Sequence, residues 1–555
     1  MRDVGHDYPV HTFFWYFKSQ TDTQNAPLVI WMNGGPGASS IFGVFNENGP
    51  CFINSKLEPE PRLSSWNQFY NVLYVDQPVQ AGFSYDIPTP GFLDLETGNI
   101  IPNDPDGGLH ANATFIPGTF SSQNVNSTAN TTENAARHFW NFLQVWSRDF
   151  HEYISSDNSI SIWTESYGGR YGPGFAAFIE EQNHQIRRGF LPGAKQLNIT
   201  TLGIVNGCVD LLTQETSAPE FAYDRNTYGI PGITYEEYEA ACKAYKQYPG
   251  GCRDKINNCL NLSNIEDPAM YGNATNTNVA CKMASDFCQD AVEGPYIYRK
   301  QWAFYDIAHC YLDAFPGNEF LYYLSKEEIL QAIGVPVNYT DISNTVGKAF
   351  NLTGDYARRD PRGYLQDIEI LLNARIQVAM VYGDRDFACN WIGGERVSLG
   401  VNYSLSADFR RAGYSNITTI HGSDPVGQVR QHGMFSFSRI FQSGHMVPAY
   451  QPDVAFTILR RVMGQTDVAT GKIPLSDDYS TDGTLNSTVT LTAPDPPSIT
   501  CDLRGMASTC AQNQIDAIKD GSAKIENGII LDPPPQADCP TFPTSIDFIG
   551  ELRRH

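Results

Sequence analysis

Ser166 stands in Glu165-Ser166-Tyr167-Gly168-Gly169, directly after the β-prone run Ser159-Ile160-Ser161-Ile162-Trp163. A serine on a sharp strand-to-helix turn is held clear of the sheet as a nucleophile, and the turn demands small residues around it. Gly168 meets that demand two places after the serine, while Thr164 stands two places before it, where glycine is usual. The pentapeptide by itself also reads as an ordinary glycine-rich loop. A serine nucleophile needs a base and the base an orienting acid, which on α/β-hydrolase scaffolds follow in the chain order Ser, Asp or Glu, His. Both are found downstream. The apolar residues 376–382 run into Gly383-Asp384-Arg385-Asp386-Phe387, which offers Asp384 and Asp386 as acids, and Gly444-His445-Met446-Val447-Pro448 sets a histidine in a short loop.

The elements that must position these groups read as strands that end in turns. Leu28-Val29-Ile30-Trp31 leads into Asn33-Gly34-Gly35-Pro36-Gly37, and Gly203-Ile204-Val205-Asn206-Gly207 is another strand and turn. The first of these glycine-rich turns has the composition of a plain turn. After His445 a helix is predicted from Gln451 onward. With 555 residues, 41% hydrophobic and 12% aromatic, the chain can build a large core. The formal net charge of −23 argues against a nucleic-acid partner and favours solubility near neutral pH. No apolar stretch approaches the ~18 residues of a membrane span.

Twelve cysteines are too sparse for a disulfide scaffold, but six of them (Cys242, Cys252, Cys259, Cys281, Cys288 and Cys310) gather in one region. They lack Cys-x-x-Cys or zinc-finger spacing, and no His-Glu-x-x-His occurs, so disulfides are expected rather than metal. Sequons begin at Asn112, Asn126, Asn130, Asn198, Asn261, Asn273, Asn338, Asn351, Asn402, Asn416 and Asn486. Cysteines and sequons together point to a secretory route and N-linked glycans. Since Met1-Arg2-Asp3-Val4 is not an apolar signal region, a signal peptide is expected ahead of it in the natural precursor.

Several motifs in one order carry a family resemblance. Trp31-Met32-Asn33-Gly34-Gly35-Pro36-Gly37-Ala38-Ser39-Ser40 is followed by Glu47-Asn48-Gly49-Pro50, Asp76-Gln77-Pro78-Val79 and Gly82-Phe83-Ser84-Tyr85. Then come the Ser166 run with Arg170-Tyr171-Gly172-Pro173, residues 383–387 with Cys389-Asn390-Trp391, and the His445 run. Over roughly residues 11–465 the chain resembles the serine carboxypeptidases. The resemblance implies an α/β-hydrolase fold, a mostly parallel central sheet carrying an inserted helical, disulfide-containing lid. It implies Ser166 as nucleophile, Asp386 rather than Asp384 as acid, and His445 as base. It further implies an oxyanion hole from the N–H groups of Gly35 and Tyr167, with Asn33, Glu47 and Glu165 binding the substrate's terminal carboxylate. A glutamate facing a carboxylate must hold a proton to donate, so activity is expected to be favoured at acid pH. Ala38 replaces the family's cysteine, so the disulfide formed there in relatives must be absent or rerouted.

The expected substrates are peptide and protein C-termini, with no metal or organic cofactor, in a secreted or vacuolar setting. Acyltransferases and hydroxynitrile lyases share the scaffold and are the alternative, as is a non-catalytic protective or binding role. The organisation expected is a core over residues 1–210 with a surface insertion at 88–130, a lid at 211–364, the returning core at 365–465, and a separate extension at 466–555.

Overall fold

The strand Leu28–Met32 is apolar throughout and buries all five residues, because both faces of the sheet around it are covered. Leu28, Ile30 and Met32 enter one core, and Val29 and Trp31 enter the other, as the two-residue period of a strand requires. The computed structural model describes residues 7–103, 110–153, 158–358, 363–419, 422 and 424–536. The main sheet has nine strands. They are β1 (Phe14–Phe17), β2 (Leu28–Met32), β3 (Asn71–Val75), β4 (Ser159–Glu165), β5 (Asn198–Val205), β6 (Gln377–Gly383), β7 (Tyr414–Ile417), β8 (Gly427–His432) and β9 (Phe435–Ile440). Their spatial order is β1-β3-β2-β4-β5-β6-β9-β8-β7. The pairings from β3 through β9 are parallel, and β1 and the β9-β8-β7 end are antiparallel.

Helices cover both faces. One layer contains α2 (Thr132–Asp149) and α3 (Gly168–Arg187), which pack Phe139, Trp140, Leu143, Phe175 and Ile179 against the first core. On the opposite face α1 (Ile41–Asn46) and the helix Pro452–Met463 supply Ile41, Val44, Val454, Ile458 and Val462. Fully burying such side chains contributes about 1.5–3 kcal/mol each. Asn33, Glu165, Asn206 and Asp384 directly follow or end parallel strands, so they collect at the carboxyl ends, where open α/β sheets place ligands.

Residues 211–358 form mostly helices. Within them α4 (Cys252–Glu266) and α5 (Thr275–Cys288) are tied by Cys252–Cys288 and Cys259–Cys281. The pairing of first with last and inner with inner cysteines makes an antiparallel hairpin with its own small core. Residues 88–130 carry a three-stranded sheet of their own.

The described residues after 466 pack against the core. Thr484 bridges Tyr414 of the edge strand β7, Ser480 bridges His432, and Arg439 Nη1 donates to Ser487 Oγ at 2.9 Å. Further on, Cys501 and Cys510, joined as a disulfide, pack with Met506 and Ile518 against Leu95 and Ile116 of the 88–130 insertion. A Pro- and Ser/Thr-rich composition hid this packing, since backbone bridges leave no hydrophobic period to read. Among the described residues no helix is long and apolar enough to cross a membrane.

Candidate active site

Strand β4 ends at Glu165, and Ser166 turns the chain with φ +63°, a left-handed backbone that costs a non-glycine residue about 1–3 kcal/mol. Helix α3 begins at Gly168, and its side chains explain the half-matched elbow motif. A Cβ on Gly168 would come within 2.5 Å of Thr164 Cβ, and one on Gly172 within 2.8 Å of Thr164 Oγ1. Thr164 is accommodated because both facing positions are glycine, and its hydroxyl donates to the Gly168 carbonyl at 2.7 Å.

The glycine-rich turn after β2 lies against this elbow. A Cβ on Gly34 would sit 2.4 Å from Tyr167 N and 2.6 Å from Glu165 O, so only glycine permits the approach. Gly35 follows with φ +100°, again a glycine conformation. Tyr167 caps α3, where backbone N–H groups have no partner inside the helix. Gly35, Tyr167 and Ser166 all line one cleft of about 220 Å³. A larger groove of about 750 Å³ runs along β1 beside Phe14 and Trp146, and it contains none of Ser166, Asp386 and His445.

The structure separates the two candidate acids. Asp386 Oδ2 lies 2.7 Å from His445 Nδ1 and also accepts from Asn206 Nδ2 at 2.8 Å and Cys389 N at 3.1 Å, while Oδ1 accepts from Ala388 N at 2.9 Å. Asp384 is turned away, bonded to Arg439 Nη2 at 3.0 Å and to the Tyr228 hydroxyl at 2.6 Å. With Nδ1 committed to a carboxylate, the imidazole keeps its proton there and offers Nε2 as a base. His445 Nε2 is buried and makes no hydrogen bond among the described residues.

On the other side of Ser166, Asn33 Nδ2 donates to Glu47 Oε1 at 2.8 Å and to Glu165 Oε1 at 3.2 Å. Trp31 Nε1 donates to Asn33 Oδ1 at 2.7 Å and fixes the amide's orientation. Glu47 and Glu165 are 1% and 3% exposed. Burial pushes both carboxyls above their usual range, Glu165 the more strongly because the Glu47 carboxyl lies against it. Folded, each binds a proton more tightly than unfolded, so this contribution to stability is greatest below the ordinary carboxylate pKa and is lost as pH rises through the raised values. Melting temperature is therefore expected to fall as pH rises above the ordinary carboxylate range and through the raised values, and Glu165→Gln should flatten that decline in a thermal scan across pH.

Two groups of possible metal-ligating atoms come together, Asp386 with Cys389 and His445, and Glu215 with Cys252 and Cys288. Every cysteine in them is half of a disulfide, and a disulfide sulfur is not the thiolate that binds a metal.

Residues 3–465 match the serine carboxypeptidase family. A carboxypeptidase Y homolog of Arthroderma benhamiae is 48% identical over 98% of this chain and 86% of its own. Carboxypeptidase S1 of Penicillium janthinellum is 31% identical over 83% of this chain and 93% of its own. The chain belongs to the serine carboxypeptidase family. The fold agrees with a solved prohormone-processing carboxypeptidase from Saccharomyces cerevisiae, with a TM-score of 0.56 and 20% identity over 82% of this chain and 87% of that one. The protein is thus a serine-type carboxypeptidase, a peptide hydrolase on an α/β-hydrolase fold.

In this carboxypeptidase Ala38, where the resemblance implies a cysteine, is held by backbone contacts with residues 341–343. Ala38 bridges Ile342, Ser39 N donates to Asp341 O, and Ser343 N donates to Gly37 O, both at 2.9 Å. Cys389, three residues after Asp386, is bonded to Cys208. That bridge ties the Asn206 loop to the Asp386 loop, and Cys208 N donates to Ser166 O at 2.9 Å.

Sequence reasoning missed Tyr305 and Asn206. The Tyr305 ring lies 4.7 Å from the His445 ring, and the Tyr305 carbonyl accepts from His445 N at 2.9 Å. Tyr305 comes from the 211–358 region and carries no motif, so no sequence signal marked it. Asn206 could have been found, because it ends a strand at the same edge as Ser166.

Proposed function

We propose that Ser166, His445 and Asp386 form the catalytic triad, that the N–H groups of Gly35 and Tyr167 receive the oxyanion, and that Asn33, Glu47 and Glu165 hold the terminal carboxylate of the peptide. The observation that carries this reading is the Asp386–His445 contact of 2.7 Å, made across 59 residues in a chain whose Ser166 has the elbow backbone. His445 Nε2 takes the Ser166 proton as Oγ attacks the last peptide carbonyl. The tetrahedral oxyanion is stabilised by donors fixed before reaction. His445 then gives its proton to the leaving amino group, and water repeats the sequence on the acyl-enzyme. A serine-reactive phosphonate should label Ser166 stoichiometrically and stop release of free amino acid from an N-blocked dipeptide. Labelling elsewhere, or release that survives labelling, would overturn the assignment.

Recognition of a carboxylate by a proton-sharing carboxyl pair makes binding strongest at acid pH. As the pair loses its proton with rising pH, it repels the substrate carboxylate and KM rises. Glu165→Gln, which donates at any pH, should weaken that dependence while raising KM by about tenfold or more at acid pH through an altered hydrogen-bond set. The same peptides with esterified C-termini provide the contrast, since they bring no charge to repel. Identical pH profiles for acid and ester substrates would remove the pair from this role.

A secreted or vacuolar setting with N-linked glycans is part of the same reading, supported by the sequons and disulfides. Asn112, Asn126, Asn198, Asn261, Asn273, Asn351, Asn402, Asn416 and Asn486 are exposed, whereas Asn130 and Asn338 are half-buried. Asn338 Oδ1 accepts from Thr119 N and Asn130 Oδ1 from Asn134 Nδ2, both at 2.8 Å. Glycopeptide mass spectrometry should find glycans only within the first set.

A further inference from the structure

A second buried carboxyl pair adjoins the site on the side away from Glu165. Glu215 caps the short helix Leu211–Gln214 just after the Asn206 loop, and Glu293 ends the turn that follows α5. Their exposures are 3% and 7%. Both line a water-sized cavity of about 20 Å³ with Cys208, Tyr356 and Cys389, and Glu293 also lines the cleft that begins at Ser166. Glu215 Oε1 is buried there without a hydrogen-bond partner.

Among the described residues no cation is paired with either carboxyl. The two carboxyls are hydrogen-bonded to each other, and burial holds both above the usual carboxylate range. Arg170 lines the small cavity, but its guanidinium donates to the carbonyls of Asp355, Tyr356 and Arg358. Phe304, Tyr305, Phe350 and Tyr356 wall the cleft between Ser166 and Glu293. Aromatic walls ending in this carboxyl pair suit a long side chain with an apolar stem and a cationic tip.

The direction of the cleft identifies which substrate residue enters it. Asn33, Glu47 and Glu165 do not line it, whereas Gly35, Ser166 and Tyr167 do. If the leaving residue's carboxylate sits at Glu165, the acyl half of the peptide lies on the other side of the scissile carbonyl, in this cleft. We propose that Glu293, backed by Glu215, determines specificity for the penultimate residue of the peptide, selecting lysine or arginine there. This rests on the assignment of Ser166 and of the Asn33, Glu47 and Glu165 carboxylate site.

The test is kcat/KM for N-blocked dipeptides X-Leu with X as lysine, arginine or norleucine, at one fixed near-neutral pH. The wild-type enzyme should favour lysine and arginine over norleucine, which matches the lysine stem without its charge. Glu293→Gln should lower kcat/KM for the cationic substrates by about 10–100-fold, the range for one hydrogen bond to a charged group, and leave norleucine within about twofold. Glu215→Gln should act in the same direction, and intact turnover of norleucine-Leu shows that either variant is folded. A wild type indifferent to the charge, or variants that slow all three substrates alike, would overturn the proposal. A second series, norleucine-X with the last residue varied, should not respond to Glu293→Gln; a response there would put the leaving residue in this cleft and also overturn it. Phosphonate labelling of Ser166 in each variant separates these results from a failure of the nucleophile assignment.

Discussion

Ser166→Ala is expected to lower kcat for an N-blocked dipeptide by about 10⁶-fold, the loss found when a triad serine is removed. The size follows from what remains. His445 and Asp386 would still be paired, and the proposed oxyanion donors at Gly35 and Tyr167 would remain, but no group could form the acyl-enzyme. Residual turnover would come from water attacking a bound peptide, with the oxyanion donors worth about 10³–10⁴ over the uncatalysed reaction. The fold should survive. Ser166 N donates to Val205 O at 3.1 Å and its carbonyl accepts from Gly169 N and Cys208 N, and alanine retains all three bonds. Only the hydroxyl is lost, so melting temperature should stay within a few degrees. KM should change little, because the proposed carboxylate site at Asn33, Glu47 and Glu165 is left intact. A variant that kept more than a small percentage of wild-type turnover, measured by release of free leucine, would require another nucleophile.

The residues proposed as the triad stood out because chemistry was written into rare motifs at the ends of apolar runs. Residues 376–382 announced a strand, and the loop after it had to carry the acid. Choosing between Asp384 and Asp386 was beyond the local pattern. The choice depends on Arg439, 55 residues further on, which draws Asp384 to itself, and long-range pairing leaves no trace in a short window. The elbow was half-legible for a related reason. The bulk of Thr164 is balanced by glycines at 168 and 172, so the small residues the turn requires are present but displaced along the helix. What the lid brings was invisible. Tyr305 over His445 and Glu293 in the cleft lie on segments with no motif, and their meaning comes only from where disulfide-tied helices set them down. The Cys252–Cys288 and Cys259–Cys281 pairs show the same limit, since spacing favoured disulfides over metal without giving their partners.

Asp386→Asn should cost about 10³-fold in kcat, and the donors around the carboxylate say why. Oδ2 accepts from Asn206 Nδ2 and Cys389 N besides facing His445 Nδ1, while Oδ1 accepts only from Ala388 N. An asparagine that turned its NH₂ toward His445 would set it against two donors, whereas the opposite orientation sets it against one. The amide oxygen is therefore expected to stay at the His445 side and the imidazole to keep its proton on Nδ1. What disappears is the negative charge that stabilises the imidazolium formed during attack. A unit charge about 4 Å away at an effective dielectric near 20 is worth about 4 kcal/mol, or roughly 10³-fold. Had the amide inverted, the tautomer would be wrong and the loss nearer 10⁴-fold. Asp384→Asn should behave in the opposite way. Its partner Arg439 is fully buried with it, and removing one charge of such a pair destabilises by about 3–5 kcal/mol, yet kcat measured well below the melting transition should stay within a few-fold. Parallel measurement of kcat and melting temperature in the two variants separates the roles, with catalysis lost in one and stability in the other. The reverse pattern would make Asp384 the residue that orients His445, against the 2.7 Å contact.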